Sequence, residues 1–381
     1  VSNVGTWMQT VAVGALVTAR TGEATWAVVV AAGAFLPIGV LSPLGGALAD
    51  RHDRRRWLIS GSVVQAILAA ALAGLVAEGY SAPGLVASVV TLQGSVAALL
   101  IPFEQAILPD LVPREELLAG ASLGSAQFNM GRVVGPALAG VAVATAGYGA
   151  AFAANAGSFL AVAVAVAFIR LPPVALSPSI EGRPGLWATI ADGLRALRTQ
   201  PGCRAAVGLI AVVALLASPF IALIPAVARL LSSGSPRAVA SATAALTTAQ
   251  GVGAVVGALV LAPLALRFGR GRLLVTDLCL VCGALMAYAL MPTLVLAVIA
   301  LAGVGAIYIG VLSGLSTVVQ LQAPPEYRGR LLAVYFVALG VLYPIGSLVQ
   351  GPIADAVGLR TTSVAAAALL LAVLAWIGVR R

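Results

Sequence analysis

Gly46-Ala-Leu-Ala-Asp50-Arg51-His52-Asp53-Arg54-Arg55-Arg56 crowds seven charged or titratable side chains into eleven residues. An apolar run of about twenty residues precedes this knot and another follows it, each long enough to cross a bilayer. Inside hydrocarbon every charge needs water or a partner. The knot therefore belongs at a membrane surface, between two spanning helices. The acid at its start needs a separate reason, because topology is set by positive charge and not by an acid at a helix end.

The rest of the chain agrees. Of its 381 residues 61% are hydrophobic and only 9% are charged, with mean hydropathy +1.05. Soluble domains carry about 25% charged residues, so the composition is that of an integral membrane protein. Nearly all ordered mass lies in lipid, which leaves little room for a separate catalytic domain. The net charge of +9 comes from arginine alone, since no lysine occurs. Arginine scattered over the loops of such a chain reads as topology, not as a nucleic-acid surface. The first apolar segment leads into further spans without a small-residue cleavage site, as a first span does and a cleavable signal does not.

Apolar runs place spanning helices at residues 3–20, 25–49, 56–77, 83–107, 121–145, 149–169, 203–226, 239–265, 273–291, 294–320, 331–353 and 361–379, about twelve in all. An even number puts both termini on one face. Seventeen arginines fall on the face of the Arg-rich knot, and only Arg20, Arg229, Arg237 and Arg360 fall on the other. The positive-inside rule makes the first face, and both termini, cytoplasmic. The longest polar stretch, 171–202, separates an N-terminal bundle (1–170) from a C-terminal bundle (203–381). Within it Trp187, Ile190, Ala191, Leu194 and Leu197 recur at helical spacing, which predicts an amphipathic helix on the inner leaflet.

The two halves echo each other. Arg51-His-Asp-Arg54 is matched by Arg267-Phe-Gly-Arg270, Pro113-Arg-Glu-Glu116 by Pro325-Glu-Tyr-Arg328, and Gly131-x-x-x-Gly135-Pro136 loosely by Gly340-x-x-x-Pro344. The offsets, 267 − 51 = 216, 325 − 113 = 212 and 340 − 131 = 209, are nearly constant and favour duplication.

Gly46, Leu48, Asp50, Arg51, Arg54 and Arg55 resemble the loop that follows the second helix in the major facilitator superfamily. Gly131-Arg-Val-Val-Gly135-Pro136-Ala-Leu-Ala139-Gly140 on the fifth helix resembles that superfamily's antiporter motif, with Ala139 in place of one glycine. The resemblance covers essentially the whole chain. It implies an all-α membrane fold of two pseudo-symmetric six-helix bundles that rock about a midplane site. The Asp50-to-Arg56 form of the loop, the Leu108-Pro-Asp-Leu-Val-Pro113 turn and Pro325-Glu-Tyr-Arg328-Gly-Arg330 bring the chain near bacterial enterobactin-exporter and macrolide-efflux proteins. That branch implies an inner-membrane exporter of a drug, siderophore or other small organic molecule, coupled to the proton gradient by antiport and associated with multidrug resistance.

The same resemblance implies a gating latch of Gly46, Asp50, Arg51, Arg54 and Arg55. In it the Asp50 carboxylate faces the amino end of helix 11 near Arg330, and the arginines hold neighbouring carboxylates and lipid phosphates. Leu266 stands at the place of Asp50 in the second copy, so the latch is expected on one side only. The antiporter-like residues Gly131, Gly135, Pro136 and Gly140 form a small-residue face for close helix contact. Arg132 lies about eleven residues into helix 5, roughly 16 Å deep, where a charge is costly without a partner. Glu104, near the inner end of helix 4, is the expected partner and the first choice for a titrating group.

A cavity lined by helices 1, 4, 7 and 10 would draw on Trp7, Gln9, Gln93, Ser218, Tyr308, Ser313, Thr317 and Gln320, a mostly uncharged set suited to bulky, partly apolar or cationic cargo. Gln93-Gly94 carries part of the drug-antiporter coupling pattern, but Val90 occupies its arginine position. An uncoupled facilitator or importer of the same fold, and a non-transporting sensor or scaffold, remain the alternatives. Cys279-x-x-Cys282 sits within a span with no histidine or second pair nearby and reads as helix packing. Gly251-x-Gly253 and Gly257 follow no strand, so they too read as packing. His52 is the only histidine, so neither a metal site nor a catalytic triad can be assembled, and neither cofactor nor enzymatic activity is expected.

Overall fold

The structure is a computed structural model that describes residues 2–49, 51–169 and 186–379. Among these, all regular structure is helical. The helices are α1 (Ser2–Thr21), α2 (Ala24–Ala49), α3 (Arg54–Ala77), α4 (Pro83–Leu111), α5 (Leu117–Ala146), α6 (Tyr148–Phe168), α7 (Leu186–Thr199), α8 (Pro201–Leu216), α9 (Phe220–Leu230), α10 (Pro236–Phe268), α11 (Arg270–Leu290), α12 (Leu294–Gln322), α13 (Arg328–Val357) and α14 (Leu359–Val379). Ten stretches, with α8 and α9 counted as one, are long and apolar enough to cross a membrane. The more polar α1 and α5 complete the set of twelve.

Local chemistry sets the ends. Pro83 and Pro201 occupy the first turns of their helices, where the missing N–H costs nothing. Asp53 caps α3 by accepting from the Arg56 amide at 3.1 Å. Gly147 and Gly358 join α5 to α6 and α13 to α14 with φ of 83° and 96°, a conformation that side chains disfavour. Large apolar residues such as Leu123 and Leu259 stay more than 70% exposed, as a surface in contact with lipid allows.

The described helices confirm the duplication and correct its register. From α4 to α12 the offset is 294 − 83 = 211, from α5 to α13 it is 328 − 117 = 211, and from α6 to α14 it is 359 − 148 = 211. In that frame Gly135 corresponds to Gly346 and Gly140 to Gly351, whereas the looser match of Gly131 to Gly340 falls away.

The chain forms two compact units. One comprises Val1–Gly22, Val29–Arg183 and Ser233–Ala245, and the other Glu23–Val28, Pro184–Ser232 and Leu246–Arg381. In the first, Trp57 stacks on Phe103 (5.2 Å between centroids) over a core of Leu58, Leu100, Ile107 and Val166, directly beneath the charged loop. In the second, α10 and α12 touch backbone to backbone. A Cβ on Gly253, Gly257 or Gly305 would land on the carbonyl of Ala302, Ala306 or Gln250, respectively, so this glycine run serves close helix packing. The helix expected in the linker is α7. It belongs to the second unit and packs on the start of α13, with Asp192 3.9 Å from Arg330 and Gly193 against the Arg330 backbone.

Candidate functional site

In the first unit the charged loop is tied down by backbone. Arg54 Nη1 donates to the Ala106 carbonyl of α4 at 3.0 Å. Arg55 Nε donates to the Val166 carbonyl of α6 at 3.2 Å, and its Nη2 donates to the Ala167 carbonyl. The Val166 and Ala167 carbonyls lie in the last turn of α6, lack full helical partners and carry partial negative charge, so a guanidinium suits them. The carbonyls of α4 and α6 are thus partners of these two arginines beside the carboxylates and lipid phosphates that the resemblance implies. Arg51 is exposed, its amide bonded to the Leu48 carbonyl at 3.1 Å. Gly46 faces open space. Asp50 lies outside the described residues.

The antiporter-like face of α5 receives α1. A Cβ on Gly131 would sit 3.0 Å from Asn3, and one on Gly135 would sit 2.7 Å from Trp7 Cβ and from the Val4 carbonyl. Gly140 faces Ala244 at the start of α10, which belongs to the same unit. α5 runs through Pro136 without a break. Close approach of α1 brings Trp7 under Arg132, whose guanidinium carbon lies 6.0 Å from the indole centroid, and beside Phe128 at 6.0 Å. The sum is a cation–π contact within the membrane.

The structure does not bring Glu104 to Arg132. α5 begins at Leu117, so Arg132 lies fifteen residues in, whereas Glu104 lies seven residues from the end of α4. At 1.5 Å per residue their depths differ by about 12 Å. Glu104 is exposed and, among the described residues, has no ion-pair partner.

Two of the cavity candidates close a buried amide network in the first unit. Gln9 Nε2 donates to Gln93 Oε1 at 2.6 Å, and Asn155 Nδ2 donates to Gln9 Oε1 at 2.8 Å. Ser158 donates to Asn155, and Gln65 Nε2 donates to the Gln93 carbonyl at 2.9 Å. α1, α3, α4 and α6 are thus joined by neutral donors and acceptors, all buried. A satisfied network costs little in hydrocarbon, where an unsatisfied one would be expensive. Val90, where the coupling arginine would stand, is also buried.

In the second unit the seventh span breaks between α8 and α9. The sequence predicts one helix over 203–226, but Pro219 cannot donate and the ladder opens. The amides of Ala217 and Ser218 both bond to the Val213 carbonyl at 2.9 Å, the second as an i→i+5 bond. Gln350 of α13 donates to the carbonyls of Leu215 (2.9 Å) and Leu216 (3.1 Å), re-satisfying the opened backbone. Gly346, on the same helix, leaves room for the Leu215 backbone. Ser218 shares a 2.6 Å hydrogen bond with the Tyr308 hydroxyl, and Phe220 meets Tyr308 edge to face at 5.4 Å. Ser313 and Thr317 are half-buried further along α12, and Gln320 is exposed near its end, bonded to Ser316 at 3.4 Å. Cys282 is buried and bonded to the Leu278 carbonyl, Cys279 is exposed, and both are free thiols.

Sequence reasoning missed Gln65, Asn155, Ser158 and Gln350, which lie on helices outside the expected cavity set. Their signal was available: each is a polar residue within an apolar span, and Pro219 marks the break that Gln350 serves.

Comparisons with known proteins agree with this architecture. Residues 1–380 match the family described as transmembrane secretion effector. The chain is 30% identical over 363 residues to the multidrug efflux pump Tap of Mycobacterium tuberculosis, covering 92% of this chain and 84% of the relative. It is 25% identical over 349 residues to macrolide efflux protein A of Streptococcus pyogenes, covering 90% and 84%. Among solved structures it resembles a mutant of the nucleoside transporter NupG, with TM-score 0.76, 14% identity and coverage of 99% and 95%. It also resembles an inward-facing, unoccupied bacterial homologue of the human lysosomal transporter Spinster, with TM-score 0.70, 16% identity and coverage of 98% and 94%.

Proposed function

The chain belongs to the transmembrane secretion effector family of the major facilitator superfamily, and from that premise we propose that it exports a bulky, partly apolar or cationic small molecule from a bacterial cytoplasm. It does so by alternating access in the inner membrane, with both termini cytoplasmic. The observation that carries this reading is the 30% identity to a multidrug efflux pump across 92% of the chain. The physical chemistry is consistent: the Gln9–Gln93 and Ser218–Tyr308 pairs, each buried within its own unit, are uncharged, and cargo that opened either pair would meet neutral hydrogen-bonding groups. Such sites suit hydrophobic cargo that needs a few hydrogen bonds for orientation. The latch of Gly46, Asp50, Arg51, Arg54 and Arg55 governs the cytoplasmic gate, and α5 supplies the close contact typical of exporters.

We propose proton antiport as the energy source, with Glu104 as the titrating group. Val90 in place of an arginine favours a second reading, an uncoupled facilitator. Reconstitution into liposomes separates the two. Antiport predicts that a macrolide or a lipophilic cationic dye moves against its gradient when a pH step is imposed, and that Glu104→Gln abolishes this response. Flux indifferent to the pH step supports the facilitator. Flux no greater than in protein-free liposomes for every cargo tried sinks the transport reading.

A further inference from the structure

The first turn of α2 is capped from a distant part of the sequence. Asp355, in the last turn of α13, accepts from the Ala24 amide at 2.6 Å through Oδ1 and from the Thr25 amide at 2.9 Å through Oδ2. The Thr25 hydroxyl also donates to Oδ2, at 2.5 Å. Ala24 opens α2, so these amides are among the free donors of a helix start, and a carboxylate is their best partner. One turn earlier Gly351 faces the same place. A Cβ there would strike Val28 and sit 3.2 Å from Thr25 Cα. Gly351 and Asp355 are four residues apart and so share one face of α13. Residues Glu23–Val28 accordingly belong to the second unit, while α2 from Val29 onward belongs to the first.

We propose that Asp355 is an outer latch: its carboxylate grips the start of α2 while the outer side is shut, and its release is a step of outward opening. The arrangement reverses the inner pairing expected of Asp50. There an acid at the end of α2 would meet the start of α13; here an acid at the end of α13 meets the start of α2. α2 and α13 cross the membrane in opposite directions, so the two carboxylates act on opposite faces. A state that makes one contact need not make the other, and a two-state element biased at each end by one carboxylate is a toggle. The assignment of faces rests on the orientation proposed above.

The test needs no cargo. Val28 is fully buried against Gly351, so a cysteine there reacts only when the start of α2 lifts away. The full chain carrying Val28→Cys is labelled with a membrane-impermeant maleimide in right-side-out vesicles. The signal from the native Cys203, Cys279 and Cys282 is subtracted using the parent chain. Adding Asp355→Asn is expected to raise the labelling rate about tenfold, because the charged acceptor is lost. Thr25→Val, which removes only the hydroxyl bond, raises it about threefold. A folded Asp355→Asn chain labelling at the parental rate overturns the latch. If that variant does not fold, a parental rate in Thr25→Val does so. A rise confined to inside-out vesicles overturns the outer-face assignment. A rise from outside in a chain that exports nothing supports the latch and removes the transport reading alone.

Discussion

α5 and α13 hold equivalent places in the two halves. Each is 30 residues long, and each ends on a glycine of positive φ. Their packing faces are duplicated as well. Gly135 of α5 lies against the α1 backbone, and its counterpart Gly346 lies against the α8 backbone. Gly140 meets the start of α10, and Gly351 meets the start of α2. The charged residues are not duplicated. Arg132 corresponds to Tyr343, and Asp355 corresponds to Ala144. Where Asp355 grips the start of α2, the described residues of the first unit place the Tyr148 hydroxyl, which donates to the Pro236 carbonyl at 2.7 Å. Close helix contact is thus a shared frame, and the charges laid over it differ between the halves.

The largest expected effect concerns the shared frame. Gly135→Leu and Gly346→Leu each drive a side chain into a neighbouring backbone and are expected to cost about 3 kcal/mol apiece. Thermal unfolding in detergent checks this, and a variant that melts like the parent breaks the equivalence of the two faces. The polar sites come next. Gln350→Leu leaves two carbonyls of the α8–α9 break without their donor and is expected to cost about 2 kcal/mol, against about 1 kcal/mol for Gln65→Leu, which removes a single bond. The same melts sharpen the contrast between a broken and an unbroken span. Asp50→Asn is expected to lower export about tenfold, the scale of one lost charge–helix contact, while Leu266→Asp leaves export unchanged. Equal losses in drug-accumulation assays would show a two-sided inner latch. The smallest effect is that of Trp7→Leu, about 1 kcal/mol from the lost Arg132 contact, read as a melting shift that vanishes in an Arg132→Gln background.

The fold was legible because lipid leaves few choices. Runs of apolar residues must be helices, and the charged knot at Asp50–Arg56 must be a surface loop. The duplication was legible too, but its register was not, since glycines are frequent enough for Gly131 to align with Gly340 by chance. The site was legible only in part. Gln9, Gln93, Ser218 and Tyr308 were named as separate candidates, and folding joined them in pairs. Glu104 and Arg132 were placed together because a buried charge calls for a partner. The start of α5, four residues earlier than its apolar run, moved the arginine too deep. The break at Ala217–Pro219 escaped notice because a single proline within a strongly apolar run leaves the hydropathy unchanged.

Arg54 and Arg55 have one more consequence. Both arise from the first turn of α3, and they bind the tail of α4 and the tail of α6. Three rods are thereby bolted at one rim, and a torque applied to the loop cannot turn one of them alone. Whatever pulls on that rim swings the three as a single lever. The loop then serves as a rigid handle.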